Sequence, residues 1–367
     1  MMNTRYQIAL TRIPMVGPVI AKNLISYCGS PAAVFEESKK ALLKIPGVGQ
    51  RIASQIVQSK GALNESDEII ELAERFNIRI IFYLDEAFPK RLYNIPDSPL
   101  ILYAKGDFDL NHERIVSMIG TRSPSAYGRE MAEKLVQDLA KQDIKLISGL
   151  AYGIDIAAHQ AALQNQVPTI GVLGSGIGRI YPHAHRHIAT RMINQSGGLL
   201  TEFEFRTAPD RENFPMRNRL IAGLSDAVIV VESARKGGSM ITAELANGYH
   251  KDVFALPGRP IDPQSLGCNQ LIKENKAHLI ESGDDIAHIL RWKELKERKA
   301  IQRKIFVELD DKEKLIAETI QAHNEIEIDQ ISHLTMLQMS ELATVLLSLE
   351  FKGLIKALPG KKFRCLQ

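Results

Sequence analysis

The amino-acid sequence predicts an α/β protein with a Rossmann-like parallel-sheet core, an N-terminal helical domain and a C-terminal winged helix. Three observations predict this arrangement. Between residues 113 and 290, short apolar segments of strand length alternate with amphipathic helical segments. Glycine-rich turns follow most of the strand segments. Two glycine-turn helical hairpins precede this region, and three helical segments with a basic hairpin follow it.

Composition and charge are those of an ordinary globular protein. The chain has 367 residues, of which 45% are hydrophobic and 24% charged, enough for two or three domains. The formal net charge is only +3, so nucleic-acid binding must be argued from where the basic residues lie. The three cysteines lack zinc-binding spacing, and we find no signal peptide and no membrane span. We therefore expect a cytoplasmic protein without metal, cofactor or membrane partner.

Residues 1–66 are predicted to form a helical domain of the helix-hairpin-helix (SAM-like) type. The segments Ile13–Gly17 and Ile45–Gly49 both read I-P-x-V-G, and a helical segment follows each. Glycine at such a turn lets backbone N–H groups approach a phosphate at a helix N-terminus. Nearby side-chain donors are Lys22, Gln50 and Arg51. The turns are equally compatible with simple packing of two helical hairpins.

Changes in pattern mark the other domain boundaries. Residues 67–112 are predicted to connect to the core and pack on it. Within the core at 113–290 we predict strands such as Ile115–Ile119 and Lys145–Ser148, and a helix at Arg217–Leu224. A charged run at 291–304 is typical of a solvated helical linker. Residues 305–367 are predicted to form the winged helix, a module that binds either DNA or protein.

Four glycine-rich loops follow strands of the predicted core. In parallel α/β sheets, ligands bind outside the carboxyl ends of the strands, where such loops direct backbone N–H groups and helix dipoles at one crevice. Four loops in successive β-α units indicate a phosphate-lined site. Their candidate residues are Gly120, Thr121, Arg122, Gly149, Gly153, Ser175, Lys236, Gly237, Gly238 and Ser239. The glycine spacing differs from G-x-G-x-x-G, so no nicotinamide cofactor is expected.

An arginine-rich segment, Arg206–Arg219, adds the most specific feature. Arginine side chains match phosphate oxygens, and an aromatic ring can stack on an unpaired base. Because only a single strand offers a free base face, this combination favours single strands over duplex. The residues predicted to contact the single DNA strand are Arg211, Phe214, Arg217 and Asn218. Arg219 is expected to pair with a nearby glutamate, and the alternative for Phe214 is packing against the helix that follows.

These motifs resemble those of the DNA-processing protein A (DprA/Smf) family. The segments that carry the resemblance are Gly120–Arg122, Ser148–Asp155, Phe214–Ser225, Gly237–Ser239 and Leu256–Gly258. The resemblance is tight over about residues 80–290 and looser in the flanking domains. It implies a binding protein rather than an enzyme, one that binds and protects incoming single-stranded DNA. It also implies help in loading RecA recombinase during natural transformation and recombination.

The resemblance further assigns roles to residues. It places Arg122, Arg211, Phe214 and the pair Arg217–Asn218 in the DNA pocket. It also implies a homodimer formed through the Rossmann-like core. The stretch 265–278 is predicted to supply the apolar contacts of that dimer. These contacts are Leu266, Leu271 and Ile272.

Two other groups suggest different chemistry. The alternating histidines at 183, 185 and 187 are candidate metal ligands, but no acidic or cysteine residue is adjacent in sequence. A loop that lines the pocket mouth fits them better. Asp155 and His159 lie one helical turn apart, as a catalytic acid–base pair would. We favour a fixed structural hydrogen bond for them.

Glu244 supports an alternative function, a nucleotide-processing enzyme that cleaves an N-glycosidic bond. Phosphoribohydrolases that are similar to lysine decarboxylases place a helical glutamate after a glycine loop of the form P-G-G-x-G-T-x-x-E. In this reading Glu244 is the acid–base and Arg122 holds the phosphate. The chain instead reads K-G-G-S-M-I-T-A-E over residues 236–244, which weakens the enzyme interpretation.

Overall fold

The computed structural model describes residues 2–292, 309–323, 325–352, 354–358 and 360–365. The chain divides into two compact units, Met1–Trp292 and Lys293–Gln367. From position 293 onward, the predicted linker lies outside the described residues. The three-part fold class is confirmed, as the elements below show.

Six helices open the first unit. They are α1 (Met2–Arg12), α2 (Pro18–Cys28), α3 (Pro31–Glu36), α4 (Lys39–Leu42), α5 (Gln50–Val57) and α6 (Lys60–Arg75). Gly17 and Gly49 are the N-cap residues of α2 and α5, at the ends of the two repeated turns. The predicted boundary at residue 66 falls inside α6. Ile69 and Ala73 of this helix share a core cluster with the preceding helices and with residues of the sheet-bearing part of the unit.

The two hairpins have different surroundings. Lys22, on the helix of the first hairpin, donates from Nζ to the carbonyl of Ser98, 3.3 Å away in the sheet-bearing part of the unit. Burial lowers the pKa of Lys22, and the nearby charge of Arg219 lowers it further. Gln50 and Arg51 of the second hairpin are exposed. Lys22 therefore serves contacts within the unit, whereas Gln50 and Arg51 remain at the surface.

A nine-stranded sheet forms the centre of the first unit. Its strands are β1 (Arg79–Phe82), β2 (Ile101–Lys105), β3 (Ile115–Ile119), β4 (Lys145–Ser148), β5 (Thr169–Val172), β6 (Gly198–Thr201), β7 (Ala227–Val230), β8 (Asp252–Ala255) and β9 (His278–Leu279). The spatial order is β1-β2-β6-β5-β4-β3-β7-β8-β9. Neighbours from β6 to β9 are parallel, whereas β1 and β2 add antiparallel strands at one edge. The predicted connecting segment thus contributes two strands to the sheet.

Helices cover both faces of this sheet. They are α7 (Ala126–Ala140), α8 (Ile154–Gln164), α9 (Arg186–Asn194), α10 (Asn213–Leu224), α11 (Gly238–Gly248), α12 (Leu266–Lys273) and α13 (Gly283–Ile289). Along β3, Ile119 joins one core cluster and Met118 the cluster on the opposite face. Strand order reverses at β3, because β4 to β6 lie on one side of it and β7 to β9 on the other. The carboxyl ends of β3 and β7 therefore flank the topological switch point.

The second unit is a winged helix. Its helices are α14 (Asp311–His323), α15 (Ile328–Thr335) and α16 (Met339–Phe351), and its strands are β10 (Ile326–Glu327), β11 (Ile355–Leu358) and β12 (Lys362–Cys365). The strand order is β10-β12-β11. An apolar cluster that includes Ile316, Ile331 and Leu346 joins the three helices. The buried carboxylate of Glu313 accepts hydrogen bonds of 2.6 Å from Ser348 and Lys352, which ties α14 to the end of α16.

No single helix in the described ranges is long and apolar enough to cross a membrane. Only α15 and α16 taken together meet that test of length and composition, and they are bent by 110° at their junction. Their buried residues, among them Ile331, Leu342 and Leu349, form the core of the winged helix.

Candidate nucleic-acid interface

The ring of Phe214 lies at the carboxyl edge of the sheet, where three segments meet. It belongs to the first turn of α10 and is half-buried. The guanidinium carbon of Arg122 lies 5.7 Å from its centroid, and the ring of Tyr181 lies 5.8 Å away. Gly174 allows this approach, because a Cβ there would lie 2.9 Å from Cδ1 of Phe214. The loops after β3 and β5 and the start of α10 therefore form one crevice.

The loop after β3 holds Arg122 at the edge of this crevice. Thr121 donates its N–H to the carbonyl of Glu232, at 2.7 Å, and accepts from the N–H of Ile154, at 3.2 Å. Gly153 has φ +85°, and a Cβ there would overlap the carbonyl oxygen of Thr121. The backbone beside Arg122 is thus fixed between β7 and α8. The side chain of Arg122 is exposed and faces the crevice over Phe214.

Gly153→Ala should lower the free energy of unfolding by about 1–3 kcal/mol, the usual cost of forcing a side chain into such a backbone conformation. The overlap with Thr121 should also displace Arg122, so affinity for single-stranded DNA should fall. Thermal melting and a binding titration test both effects. Gly61→Ala is the matched control, because no described atom lies within 4 Å of a Cβ at Gly61 in α6. It should change stability by less than about 1 kcal/mol; equal melting of the two variants would contradict the clash.

Two oppositely charged side chains are buried in the wall of the crevice. Arg217 is 4% exposed and Asp155 is 7% exposed. Arg217 donates from Nη1 to the carbonyl oxygens of Gly149, at 2.5 Å, and Val172. Asp155 accepts from the N–H of Gly149 at 3.1 Å. The pair therefore joins the ends of β4 and β5 to α8 and α10.

Burial and charge act in opposite directions on this pair. Burial lowers the pKa of Arg217 to about 10, while the charge of Asp155 raises it. Burial raises the pKa of Asp155, and the positive charge of Arg217 opposes that rise. A guanidinium with a pKa of about 10 keeps its charge at neutral pH. Each partner thus compensates the buried charge of the other.

The prediction that Arg217 and Asn218 contact the DNA strand needs revision. A phosphate contact requires a free guanidinium edge, but that of Arg217 is enclosed and also donates to Oδ1 of Asn218 at 3.2 Å. Asn218 is 9% exposed, and its amide donates to the carbonyl of Gly238 at 3.5 Å. Both side chains face inward because they link α10 to the glycine loops. We assign them a positioning role.

Two other arginines of this segment have different surroundings. One is paired with a glutamate, and the other is exposed. Arg219 forms an ion pair with Glu202, and both side chains are nearly buried, which confirms the predicted pairing with a glutamate. Arg211 is exposed in the turn before α10. Within the described ranges no ion pair or side-chain hydrogen bond engages Arg211. Its charge is therefore free to meet a ligand near Phe214.

The glycine loop before α11 is exposed, whereas the two serine side chains that were predicted to contact DNA are buried. Lys236, Gly237 and Gly238 are exposed. Ser239 is 8% exposed, with its hydroxyl 2.8 Å from that of Ser233. Ser175 is 2% exposed, and its hydroxyl donates to the carbonyl of Arg179 at 2.6 Å. The two serine hydroxyls hold their own loops together, so the predicted direct contacts from them also need revision.

Two of the three candidate metal-ligand histidines make structural hydrogen bonds. His185 is buried with Nδ1 2.8 Å from the carbonyl of Leu150, and His187 bonds within its own turn. Across the part of the chain that the structure describes, no three His, Cys, Asp or Glu side chains are grouped to hold a metal ion. His159 bonds to the hydroxyl of Thr169 at 2.7 Å rather than to Asp155. Burial lowers the pKa of His159 to about 3, so its ring is neutral.

Sequence reasoning missed Glu232, which lies at the topological switch point. It is 4% exposed, and its carboxylate accepts from the N–H of Ser125, at 2.9 Å, and from the hydroxyl of Ser125, at 2.5 Å. It thereby fills the N-terminus of α7, where a dinucleotide-binding sheet would place its pyrophosphate. A phosphate at that position would meet a like charge. No spacing in the sequence indicates this contact, because 107 residues separate its partners.

Glu244 lies away from the crevice. It is exposed on α11, and Asn247 on the same helix donates to the carbonyl of Lys276 at 2.9 Å. Lys276 precedes β9 and so lies towards the amino ends of the parallel strands. The crevice lies at their carboxyl ends. Glu244 and Arg122 therefore do not face one ligand.

Comparisons with known proteins assign all three parts of the chain. The family model of DNA recombination-mediator protein A matches residues 79–291. A SAM-like helix-hairpin-helix tandem matches residues 8–59, and the DprA winged helix domain matches residues 307–361.

Individual relatives agree with these matches. Protein Smf from Synechocystis sp. is 31% identical over 392 residues, which cover 98% of each chain. DNA processing protein DprA of Streptococcus pneumoniae is 42% identical over 203 residues, 55% of this chain and 71% of that protein.

Two solved structures extend the agreement to the fold. The X-ray structure of the Streptococcus pneumoniae protein has a TM-score of 0.66 at 34% identity and covers 78% of this chain and 97% of that chain. A Helicobacter pylori DNA processing protein A, described for its single-stranded DNA binding mode, has a TM-score of 0.53 at 33% identity. It covers 59% of this chain and 96% of that chain. The chain therefore belongs to the DNA recombination-mediator protein A (DprA/Smf) family.

Proposed function

We propose that the protein binds single-stranded DNA in the crevice around Phe214 and acts as a recombination mediator in the cytoplasm. The observation that carries this proposal is the exposed guanidinium of Arg122 beside an accessible aromatic ring, with Arg211 in the same segment. A cation next to a ring can hold a phosphate while the ring stacks on the adjacent base. The single-stranded DNA binding mode described for the Helicobacter pylori relative supports the same assignment.

In this proposal each part of the crevice has one task. Arg122 and Arg211 neutralise phosphates, and Phe214 stacks on an unpaired base. The exposed loop Lys236–Gly238 offers backbone N–H groups and one more cation at the same edge of the sheet. The Arg217–Asp155 pair keeps the wall in place without touching the strand.

Binding should depend on salt because phosphate contacts release counterions. With three to five phosphates neutralised per protomer, the slope of log affinity against log salt concentration should be about −2 to −4 for a single strand. Titrations of one oligonucleotide at several salt concentrations measure this slope. A slope near zero would remove the phosphate contacts from the proposal.

We also propose that the crevice binds without catalysis. Its buried acids are already engaged, because Asp155 accepts from the N–H groups of Gly149 and Ala151 and Glu232 caps α7. Such groups lack the free hydrogen-bonding edge that a general acid or base needs. Incubation with nucleoside monophosphates separates this proposal from the enzyme alternative, since release of free base at a useful rate would establish a hydrolase.

Two partners complete the proposal. The family description as a recombination mediator makes a recombinase of the RecA class the expected protein partner. A homodimer through the core would use the outer edge of the sheet at β9, which no described strand covers. The predicted contact Leu271 cannot serve in it, because that side chain is 1% exposed in the core. Leu266 and Ile272 are half-buried, and Leu279 of β9 is 48% exposed.

A further inference from the structure

The stretch of chain that leads into the crevice is attached to the N-terminal helical domain. Residues 202–212, between β6 and α10, form what we call the approach segment, and Arg211 lies near its end. Arg12, in the last turn of α1, forms an ion pair with Glu204 of this segment, with 2.7 Å between Nη1 and Oε1. The same guanidinium also pairs with Glu65 of α6. Arg12 therefore joins two helices of the helical domain to the approach segment.

A pair of stacked rings makes a second link between the same parts. The ring centroids of Phe76, the C-cap residue of α6, and Phe205 lie 4.4 Å apart, with 19° between the ring planes. Both side chains are half-buried. A stacked aromatic pair contributes stability beyond the area that it buries. One charged contact and one aromatic contact thus attach the start of the approach segment to the helical domain.

The loop after β5 fixes the same stretch from its other side. Gly176 donates its N–H to the carbonyl of Thr207 at 3.0 Å, and Gly178 donates to that of Phe205 at 3.1 Å. A Cβ at Gly176 would overlap the carbonyl oxygen of Glu204, so the two backbones are in close contact. Residues 204–207 are therefore held between the helical domain and a loop that lines the crevice.

The rest of the approach segment is exposed and spans a short distance. Residues 208–212 are all exposed. Asp210 accepts from the N–H of Glu212 at 2.9 Å with its side chain, and from the N–H of Asn213 at 3.2 Å with its carbonyl. The backbone at Arg211 thus runs between two fixed points, the start of α10 and residues 204–207. A short span held at both ends has few conformations, whereas one released at one end gains many.

We propose that the helical domain is a positioning element of the single-strand site. Arg12 and Phe76 hold the approach segment so that Arg211 is presented beside Phe214 before the strand arrives. Such preorganisation raises affinity, because the strand need not order the segment as it binds. This role rests on the proposed function and assigns to the helical domain a part in the same crevice without a contact of its own to DNA.

Glu204→Gln in the full chain tests the positioning role through the sign of its effect. The substitution removes a negative charge near a bound polyanion, so electrostatics alone would tighten single-strand binding. Loss of the ion pair with Arg12 should instead loosen the segment and lower affinity about threefold, the scale of an exposed ion pair. Titration of one oligonucleotide at fixed salt measures the change. A Glu204→Gln protein that binds as tightly as the parent, or more tightly, would overturn the proposal.

Glu65→Gln is the matched control for this variant. It removes the same charge from the other partner of Arg12, but Glu65 lies on α6 rather than in the approach segment. Its affinity should equal or slightly exceed that of the parent. Equal losses in Glu65→Gln and Glu204→Gln would overturn the proposal, because the loss would then not depend on the approach segment.

The ring stack allows a second test. Phe76→Ala should lower single-strand affinity about fivefold or more, because it releases Phe205. Phe35→Ala is the control, since Phe35 is a half-buried ring that pairs with Tyr6 inside the helical domain, 5.6 Å between centroids. Circular dichroism melts establish the temperature at which both variants are folded, and titrations are done below it. Equal affinity of the two folded variants would contradict a role that is specific to the approach segment.

A double-substitution cycle tests whether the effect passes through Arg211. In an Arg211→Ala protein, which lacks that phosphate contact, adding Glu204→Gln should weaken binding no further. An undiminished loss would overturn the proposal. Arg122→Ala separates this outcome from failure of the proposed function. If Arg122→Ala weakens binding and Glu204→Gln does not, the site stands and the positioning role falls; if the parent binds no single strand, both fall.

Discussion

Replacing Arg217 by alanine is expected to lower the free energy of unfolding of the first unit by about 3–5 kcal/mol, the range for leaving a buried charge uncompensated. The substitution leaves the Asp155 carboxylate buried without its cation. It also removes the donor from the carbonyl oxygens of Gly149 and Val172. Denaturant unfolding followed by the fluorescence of the single tryptophan, Trp292, reports on this unit. Single-strand affinity should fall as well, because the wall of the crevice loses its fixed shape.

Arg211→Ala is the matched control for this variant, since Arg211 belongs to the same segment but is exposed. It should change stability by less than about 0.5 kcal/mol, as surface substitutions usually do. It should nevertheless weaken single-strand binding through loss of one phosphate contact. An Arg217→Ala protein that unfolds like the parent and shows a reduced salt slope would show that Arg217 contacts phosphate, and our positioning role would be wrong.

Arg122→Ala and Phe214→Ala are expected to weaken single-strand binding in different ways. Loss of the charge-assisted contact of Arg122 should cost roughly 1.5–3 kcal/mol and make the salt slope shallower. Loss of the ring of Phe214 should cost about 1–3 kcal/mol with the slope unchanged, because stacking releases no counterion. The preference for single strand over duplex should fall only with Phe214. Titrations at several salt concentrations, with single-stranded and duplex oligonucleotides, measure all three quantities.

The thermal stability of the Phe214→Ala protein distinguishes a ring that stacks on a base from a ring that only packs within the fold. The ring touches Gly174 and Tyr181, so part of any loss can come from the fold itself. Phe214→Tyr keeps an aromatic face and serves as the conservative control; it should bind nearly as the parent does. A Phe214→Ala protein that binds single strands normally while melting normally would remove the stacking role.

Much of the sheet could be predicted because its strands are buried on both faces. The segments Ile115–Ile119 and Lys145–Ser148 have the bounds that the apolar runs indicate. The start of α10 could not be placed as well. The sequence predicts this helix from Arg217, but it begins at Asn213 because Pro215 fits in a first helical turn, where a missing N–H costs nothing.

The candidate site was less accessible to sequence reasoning than the fold. The motifs indicate the right loops, since Arg122, Phe214 and the glycines meet at one edge of the sheet. They do not show which of several similar arginines is exposed. Arg211, Arg217 and Arg219 lie within nine residues, yet one is at the surface, one is inside the wall and one is paired with Glu202. That division depends on partners distant in the chain.

The central claim is that the crevice around Phe214 recognises an unpaired strand. The most direct measurement compares the affinity of the full chain for an oligothymidylate, a duplex of the same length and a mononucleotide at one fixed salt concentration. We expect the single strand to bind about tenfold or more tighter than the duplex, whose base faces are closed, and the mononucleotide to bind weakest because it offers one phosphate and one base. Equal affinity for single strand and duplex would contradict the account.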